Sequence, residues 1–291
     1  MDTLLQDTHA LAAFLAAHPR LVVLTGAGIS CASGIPTYRD RYGTWVHRAP
    51  IQEQAFLRDA DTRRRYWTRS RYGWPLIRSA QPNAAHAALA QLEQQGRIEL
   101  LITQNVDRLH QRAGSNTVID LHGRVDRVRC LTCAAIHDRE CVQALLDRDN
   151  AWLDAGQHSP RPDGDMDIPD AWVSQLALPQ CPHCAGDLMP DVVFFGGSVP
   201  AATVQICHDA LERADALLAV GSSLAVFSGF RFCRRAHQLG KPLAIINPGV
   251  TRADNLANLR LTSLAGPLLS RVLGHITPAN SPTPSSADNP S

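Results

Sequence analysis

Two Cys-x-x-Cys pairs constrain the fold of this chain more than any other feature of its sequence. Cys130 and Cys133 form the first pair, and Cys181 and Cys184 form the second. Each pair places two thiolates where they can share one tetrahedral Zn²⁺, so the spacing predicts that both pairs meet at a single zinc ion. Because four cysteines complete the coordination of zinc, we expect this ion to be structural and not catalytic.

The segment between the two pairs, residues 134–180, is longer than the usual spacing of a zinc ribbon. Residues 160–165 read Pro-Arg-Pro-Asp-Gly-Asp, which is typical of a loop, and this predicts an insertion in the ribbon. His183 lies inside the second pair and could compete as a ligand, although the four thiolates suffice. The other four cysteines are scattered along the chain, as expected of reduced thiols in a cytoplasmic protein.

Composition narrows the classes of function. The formal net charge of +1 gives no support for a surface that binds nucleic acid or an anionic membrane. An aromatic content of 5% also argues against extended base-stacking platforms. There is no apolar run of about 18 residues, and the acidic first residues lack the basic segment of a signal peptide. We therefore expect a cytoplasmic protein that binds neither nucleic acid nor membrane.

A short apolar run, Leu21–Leu24, leads into Thr25-Gly26-Ala27-Gly28-Ile29-Ser30. A strand followed by glycines and a helix is typical of a Rossmann-type phosphate loop, in which glycine lets the backbone approach a pyrophosphate. Cys31 stands where the fingerprint has its third glycine, so a tight structural turn would also explain the pattern. No acidic residue ends a second strand about 20 residues later, which disfavours an ordinary dehydrogenase.

Other predicted strands also end in glycine or polar residues. Because the carboxyl ends of parallel strands meet at one crevice, these residues predict a ligand site there. The four strands and the residues that follow them are Ile98–Ile102 with Gln104-Asn105-Val106-Asp107, Val118–Leu121 with His122-Gly123, Ala216–Val220 with Gly221-Ser222-Ser223, and residues 242–246 with Asn247-Pro248-Gly249.

This alternation predicts an α/β fold, with a Rossmann-like parallel-sheet domain and a smaller zinc-ribbon and helical domain formed by insertions. Residues 39–82 are rich in tryptophan, tyrosine and arginine and are interpreted as a helical element over the nucleotide site. The predicted division is a Rossmann-like domain at 1–40, 83–127 and 188–275, a helical insertion with a cofactor lid at 41–82, a zinc-binding module at 128–187 and a disordered tail at 276–291.

In their order along the chain, these motifs resemble the sirtuins, which are NAD-dependent protein-lysine deacylases. The resemblance runs from about residue 20 to about residue 270 through GAGIS, SGIPTYRD, TQNVDRLH, HG, the two Cys-x-x-Cys pairs, PDVVFFG, GSS and INPG. Tyr66-Trp67, Gly73-Trp74-Pro75 and residues 162–165 look most like the class II branch.

The resemblance implies that NAD is a co-substrate and that no hydride is transferred. The acyl oxygen of a modified lysine would attack the nicotinamide ribose and expel nicotinamide, and the acyl group would pass to ADP-ribose. His122 would act as the general base on the ribose hydroxyls, and Asn105 would orient ribose and a water molecule. Asp107, with Ile29 and Ser30, would hold the nicotinamide carboxamide.

The partner implied is an acylated lysine in a protein or peptide, clamped as an added strand between Val193–Gly196 and the stretch after Ser223. The cofactors implied are NAD and one structural Zn²⁺. The residues that the resemblance assigns to NAD are Gly26, Ala27, Gly28, Ile29, Ser30, Pro36, Thr37, Tyr38, Arg39, Trp45, Gln104, Asn105, Val106, Asp107, Gly221, Ser222, Ser223, Asn247, Pro248, Gly249 and Ala265.

Three positions depart from the family pattern: the change at Val106 is small, Gly197 affects one substrate or lid contact, and Ser228 affects the peptide-binding strand and substrate preference. Val106 replaces a frequent isoleucine, Gly197 replaces a frequent glutamate, and Ser228 stands where many members carry proline. Two alternatives stay open at this point. The same NAD pocket could serve protein mono-ADP-ribosyl transfer, or the chain could be a non-catalytic zinc-ribbon binding protein with a vestigial nucleotide fold.

Overall fold

The computed structural model describes residues 2–40, 42, 44, 50–153, 160–162, 165–166, 168 and 170–275. Trp45, much of the predicted cofactor lid and the predicted tail at 276–291 lie outside the described residues. Among the described residues, no helix is both long and apolar enough to cross a membrane.

Helices and strands alternate through most of the chain. The helices are α1 (Thr3–Ala17), α2 (Glu53–Arg58), α3 (Ala60–Ser79), α4 (Ala84–Gln94), α5 (Leu109–Arg112), α6 (Arg139–Asp149), α7 (Asp170–Val173), α8 (Ala201–Arg213), α9 (Phe227–Gln238) and α10 (Ala265–Leu273). The strands are β1 (Leu21–Thr25), β2 (Ile98–Thr103), β3 (Val118–Asp120), β4 (Gly123–Cys130), β5 (Ile136–Asp138), β6 (Pro160–Arg161), β7 (Asp165–Met166), β8 (Leu188–Val192), β9 (Ala216–Val220), β10 (Leu243–Ile246) and β11 (Leu259–Leu261).

The central sheet has the strand order β11-β10-β9-β1-β2-β3, and all of its strand pairs are parallel. β1 lies between β9 and β2, and Thr25 at its end is in register with Val220 and Thr103. The residues that follow these three strands therefore emerge side by side at one edge of the sheet. This confirms the predicted α/β fold and the convergence of the polar strand ends.

Alternate residues of β1 face opposite layers of helices. Leu21 and Val23 pack in a core with residues of α1, α4 and α10. Val22 and Leu24 pack in a second core with residues of α8 and α9. Full burial of each of these side chains contributes about 1.5–3 kcal/mol, so a continuous apolar strand is stable only when both faces of the sheet are covered.

A smaller antiparallel sheet, in the order β5-β4-β8, carries the cysteine pairs. β4 starts directly after His122 and ends at Cys130, so it crosses the predicted boundary at residue 127. Trp67 of α3 shares a buried core with Cys130 and Cys181. The helical insertion and the zinc module are therefore packed together, and the division between them by residue number stays a prediction.

Two buried histidines predict that the protein loses stability in mild acid. His86 in α4 and His110 in α5 are in edge contact, with ring centroids 4.8 Å apart. Burial lowers the pKa of His86 to about 4 and that of His110 to about 3. Both values lie below the unfolded value of about 6.5. In mild acid the two rings are therefore protonated in the unfolded chain but stay neutral in the folded chain. The free energy of unfolding should therefore be constant with respect to these two groups above about pH 6.5. It should decrease, on the order of a few kcal/mol, as the pH falls from about 6.5 towards about 4.

Urea unfolding at about pH 7.5 and about pH 5 checks this expectation. His86→Gln keeps an acceptor for the Asn83 N–H, which donates to His86 Nδ1 at 3.3 Å, but it removes the titrating ring. This variant should lose less stability in acid than the parent chain, whereas His9→Gln, at an exposed position, should behave like the parent. An equal acid loss in His86→Gln and the parent would contradict the prediction.

Candidate active site

Gly26 and Gly28 bring the end of β1 against the end of β9. A Cβ atom on Gly26 would lie 2.7 Å from Ser222 Oγ, and one on Gly28 would lie 2.7 Å from the carbonyl oxygen of Gly221. The Gly28 N–H donates to that same carbonyl at 2.8 Å. Any side chain here would push the loop away from β9, which is the physical reason for both glycines.

Gln104 and Asn105 follow β2 and hold this loop from the other side. Gln104 Nε2 donates to Ser222 Oγ at 2.8 Å. Asn105 Nδ2 donates to the Gly26 carbonyl at 3.2 Å and to Ser30 Oγ at 3.1 Å. The two amides therefore tie together the ends of three adjacent strands.

Asp107 is buried and is linked to Asn105 through Ser30. Ser30 Oγ donates to Asp107 Oδ2 at 2.6 Å, and the Leu109 N–H donates to Oδ1 at 3.0 Å. Burial raises the pKa of Asp107, and these two hydrogen bonds oppose that shift. Since the single hydroxyl proton of Ser30 goes to Asp107, Ser30 must accept from Asn105, so Asp107 fixes the orientation of the Asn105 amide through Ser30.

His122 presents one basic nitrogen. Its Nδ1 lies 2.9 Å from the backbone oxygen of Gln104, which can only accept, so Nδ1 carries the proton in the neutral ring. Nε2 therefore has the lone pair, and it accepts from Ser228 Oγ at 2.7 Å. Burial lowers the pKa of His122, the Gln104 bond raises it and the positive charge of Arg231 lowers it. The ring is thus neutral near pH 7 and able to take a proton.

The backbone after His122 turns sharply to begin β4. Gly123 has φ +78°, and a Cβ atom there would overlap the carbonyl oxygen of Asp191. The Val193 N–H donates to the His122 carbonyl at 2.8 Å. His122 is therefore fixed at the junction of the parallel and antiparallel sheets.

These groups open into a cavity of about 330 Å³, within the range of small-molecule sites. It runs along the carboxyl ends of the central strands, and most of the residues predicted to bind NAD line it. Those residues, together with the predicted base, are Gly26, Ala27, Gly28, Thr37, Tyr38, Arg39, Gln104, Asn105, His122, Gly221, Ser222, Ser223, Asn247, Pro248, Gly249 and Ala265.

Of the predicted NAD-binding residues that the structure describes, five do not line this cavity: Ile29, Ser30, Pro36, Val106 and Asp107. All but Pro36 are buried. Ser30 and Asp107 support Asn105 from behind, as described above. Val106 packs in an apolar core with residues of α3 and β4, so its side chain serves packing.

The cavity also has lining residues that were not predicted to bind NAD, although Leu224, Ala225 and Val226 belong to the stretch that was predicted to hold the peptide. A rule that extended each motif by a few residues would have found nearly all of them. They are Cys31, Asp40, Leu224, Ala225, Val226, Ile246, Val250 and Leu264.

The chemistry of this cavity fits a dinucleotide. Gly26, Gly28 and Gly221 line one part of the wall, and a glycine-rich turn between a strand and a helix suits a pyrophosphate. Gln104, Asn105 and Ser222 supply side-chain hydrogen-bonding groups for sugar hydroxyls next to it. His122 lines the same cavity, and its Nε2 can take a proton from such a hydroxyl once its hydrogen bond to Ser228 is broken.

The four cysteines of the two pairs lie together as predicted. Cys130 Sγ is 3.5 Å from Cys184 Sγ, and Cys133 Sγ is 3.8 Å from Cys181 Sγ. Zinc–sulfur bonds of about 2.3 Å in a tetrahedron require sulfur atoms roughly 3.8 Å apart, so the arrangement fits one zinc ion. The N–H groups of Thr132 and Cys133 each lie 3.4 Å from Cys130 Sγ and stabilise its thiolate.

His137 and His183 lie beside these thiolates. His137 Nε2 is 3.3 Å from Cys181 Sγ, and the two histidine rings are in edge contact at 5.1 Å. His183 belongs to a second possible ligand group with His137 and Cys181, which shares Cys181 with the group of four cysteines. The four thiolates therefore complete a zinc site without His183.

Comparison with known proteins finds one family over most of this chain. The Sir2 family model matches residues 26–228. An NAD-dependent protein deacetylase from Bordetella bronchiseptica is 49% identical over 273 residues, which cover 94% of this chain and 100% of that protein. The NAD-dependent protein deacylase Sirt4 of Drosophila melanogaster is 41% identical over 270 residues, covering 91% of this chain and 86% of that protein.

Solved structures give the same result. A structure of Sir2 with a p53 peptide and NAD⁺ has a TM-score of 0.73 and 31% identity, covering 91% of this chain and 97% of that one. A second, described as the structural basis for sirtuin substrate affinity, has a TM-score of 0.73 and 29% identity, covering 92% and 97%. With the family model and full-length relatives in agreement, this chain belongs to the Sir2 family.

Proposed function

We propose that this protein is an NAD-dependent protein-lysine deacylase that transfers the acyl group to ADP-ribose and releases nicotinamide. The observation that carries the proposal is the shared cavity, in which the basic nitrogen of His122 and the amide of Asn105 meet the glycine loop. Relatives named deacetylases and deacylases support the same reaction.

In this proposal NAD, when bound, supplies the ribose carbon at which nicotinamide is displaced and the hydroxyl that receives the acyl group. Gly26, Gly28 and Gly221 would hold its phosphates, and Asn247 and Ala265 would hold its adenosine half. His122 takes the proton of a ribose hydroxyl at Nε2 after Ser228 releases that nitrogen. A group held this way typically contributes a factor of about 10²–10⁴ in rate.

The second role is positioning. Asn105 holds a hydroxyl or a water next to His122, and its amide is itself held by Ser30 and Asp107. Phe194 stacks on Phe56 with centroids 4.9 Å apart, which fixes the start of the Val193–Gly196 segment. We propose that this segment and the stretch after Ser223 receive the peptide as an added strand.

Zinc, held by Cys130, Cys133, Cys181 and Cys184, has a structural role in this proposal. Four thiolates leave no open coordination position for a water or a substrate. The antiparallel sheet that the zinc stabilises also carries Gly123 and so supports the position of His122.

The test is a set of peptides that carry acetyl-, succinyl-, lipoyl- or long-chain acyl-lysine, incubated with the protein and NAD. We expect deacylated peptide and nicotinamide to form in equal amounts, measured by mass spectrometry and chromatography. The acyl group with the highest kcat/KM would identify the preference and test the class II placement, which stays a prediction. Nicotinamide release that yields ADP-ribosylated protein but no deacylated lysine would reject the proposal in favour of ADP-ribosyl transfer.

A further inference from the structure

About the first two turns of α9, together with Arg252 from the loop after β10, carry a cationic and aromatic surface. The guanidinium carbons of Arg231 and Arg234 lie 5.2 and 5.9 Å from the ring centroid of Phe227, which is 47% exposed. The guanidinium carbon of Arg252 lies 4.4 Å from the ring centroid of Phe230. We name Phe227, Phe230, Arg231, Arg234 and Arg252 the basic face of α9.

This surface is one continuous patch, because the four α9 residues are three or four positions apart and share one side of the helix. It also adjoins the cavity. Ala225 and Val226, directly before α9, line the cavity, and Arg252 donates to the Ala225 carbonyl at 3.1 Å. Arg231 is close enough to His122 that its positive charge lowers the pKa of the His122 ring.

The positive charges of this face are not neutralised within the described part of the chain. The nearby carboxylates serve other cations, since Glu212 pairs with Arg235 and Asp254 pairs with Arg260. Arg231 Nε is buried and has no hydrogen-bond partner. A cation left in this state beside a binding cavity favours an anionic partner.

We propose that the basic face of α9 binds acidic residues that flank the acylated lysine in the peptide substrate. This inference rests on the proposed function, which brings the peptide along Ala225 and Val226 into the cavity. The phenylalanine rings hold the guanidinium planes in place, so a carboxylate can bind them with two parallel hydrogen bonds at a small cost in entropy.

A peptide fits this surface better than a nucleic acid does. Three cations at the mouth of one cavity suit two or three carboxylates on a short extended chain. A nucleic acid gains its affinity from many phosphate contacts along a longer basic track. The net charge of +1 gives no sign of such a track elsewhere on the protein.

The test uses three versions of one acetyl-lysine peptide, with aspartate and glutamate, asparagine and glutamine, or lysine at the flanking positions. Binding is measured by fluorescence anisotropy without NAD, and kcat/KM is measured with NAD. The acidic peptide should bind about 5- to 30-fold more tightly than its amide counterpart at low salt. The difference should shrink as the Debye length falls from about 30 Å at 0.01 M salt to about 8 Å at 0.15 M.

Matched variants separate this surface from general charge effects. Arg231→Gln with Arg234→Gln should reduce the preference for the acidic peptide to about twofold or less, with binding of the amide peptide retained. Arg148→Gln with Arg213→Gln removes the same charge from exposed positions on α6 and α8 and should keep the full preference. Arg234→Glu should shift the preference towards the lysine peptide.

Equal binding of the acidic and amide peptides, or an unchanged preference in the Arg231/Arg234 variant, would overturn the inference. So would a single-stranded oligonucleotide of equal charge that displaces the acidic peptide at the same or a lower concentration. Turnover without charge preference would overturn this inference and leave the proposed function standing. Charge-selective binding with no turnover of any acyl peptide would overturn the proposed function and leave the charge preference of this surface standing.

Discussion

His122→Ala is expected to lower the kcat for NAD-dependent deacylation by about 10²–10⁴-fold while affinity for NAD is retained. The ring has one lone pair, at Nε2, because Nδ1 donates to the Gln104 carbonyl. Alanine leaves the cavity without that acceptor. The glycine loop and the residues after β9 and β10, which make up most of the cavity wall, are unchanged by the substitution.

Turnover is followed as deacylated peptide by mass spectrometry, and NAD affinity by calorimetry. His237→Ala, at an exposed position near the end of α9, is the matched control and should retain turnover. Normal kcat in the His122 variant would remove His122 from the proposed role of general base. Loss of NAD binding together with turnover would show that the residue mainly shapes the pocket.

Cys130→Ser and Cys181→Ser are each expected to yield protein that is misfolded or insoluble. Both cysteines are buried in the core that contains Trp67. The four thiolates come from two chain segments about 50 residues apart, and Cys130 and Cys184, for example, are 54 positions apart. Structural zinc sites contribute about 10–16 kcal/mol of apparent binding free energy in small domains, which exceeds or matches the stability of a typical protein. Losing one ligand therefore removes a large share of the stability of this module.

Zinc content by atomic emission and thermal unfolding by circular dichroism measure the effect. Cys141→Ser makes the same substitution at an exposed position in α6 outside the metal group and should keep one zinc per chain and a normal Tm. A Cys130→Ser protein that is soluble, folded and free of zinc would contradict the structural role of the metal.

Features of local chemistry could be predicted from the sequence. Each Cys-x-x-Cys pair is two ligands on one turn of backbone, so the metal site could be predicted before the path between the pairs was known. Apolar runs such as Leu21–Leu24 predict buried strands because both faces of a parallel sheet are covered. Gly26 and Gly28 were predicted as part of a phosphate loop, and in the structure they also lie against Ser222 and Gly221, a close approach that permits no side chain.

Other features could not be predicted, because they depend on contacts between distant parts of the chain. β4 has mixed burial and no clean alternation, so its pairing with β8 gave no local signal. The bond from Ser228 to His122 joins residues 106 positions apart. In the sequence, Ser228 was only a departure from a family pattern.

The sequence by itself determined the parallel α/β fold, the zinc ligands, the family and most of the cavity wall, because each depends on residue types at short and fixed spacing. Only the tertiary structure decided which predicted residues reach the cavity and which support it from behind. Ser30 and Asp107 are buried and hold Asn105 in place, and their predicted contact with the nicotinamide carboxamide stays a prediction. The physical reason is that the contacts between three strand ends and α9 determine which side chains are buried and which way their hydrogen bonds point. The spacing of residues along one strand carries no information about those contacts.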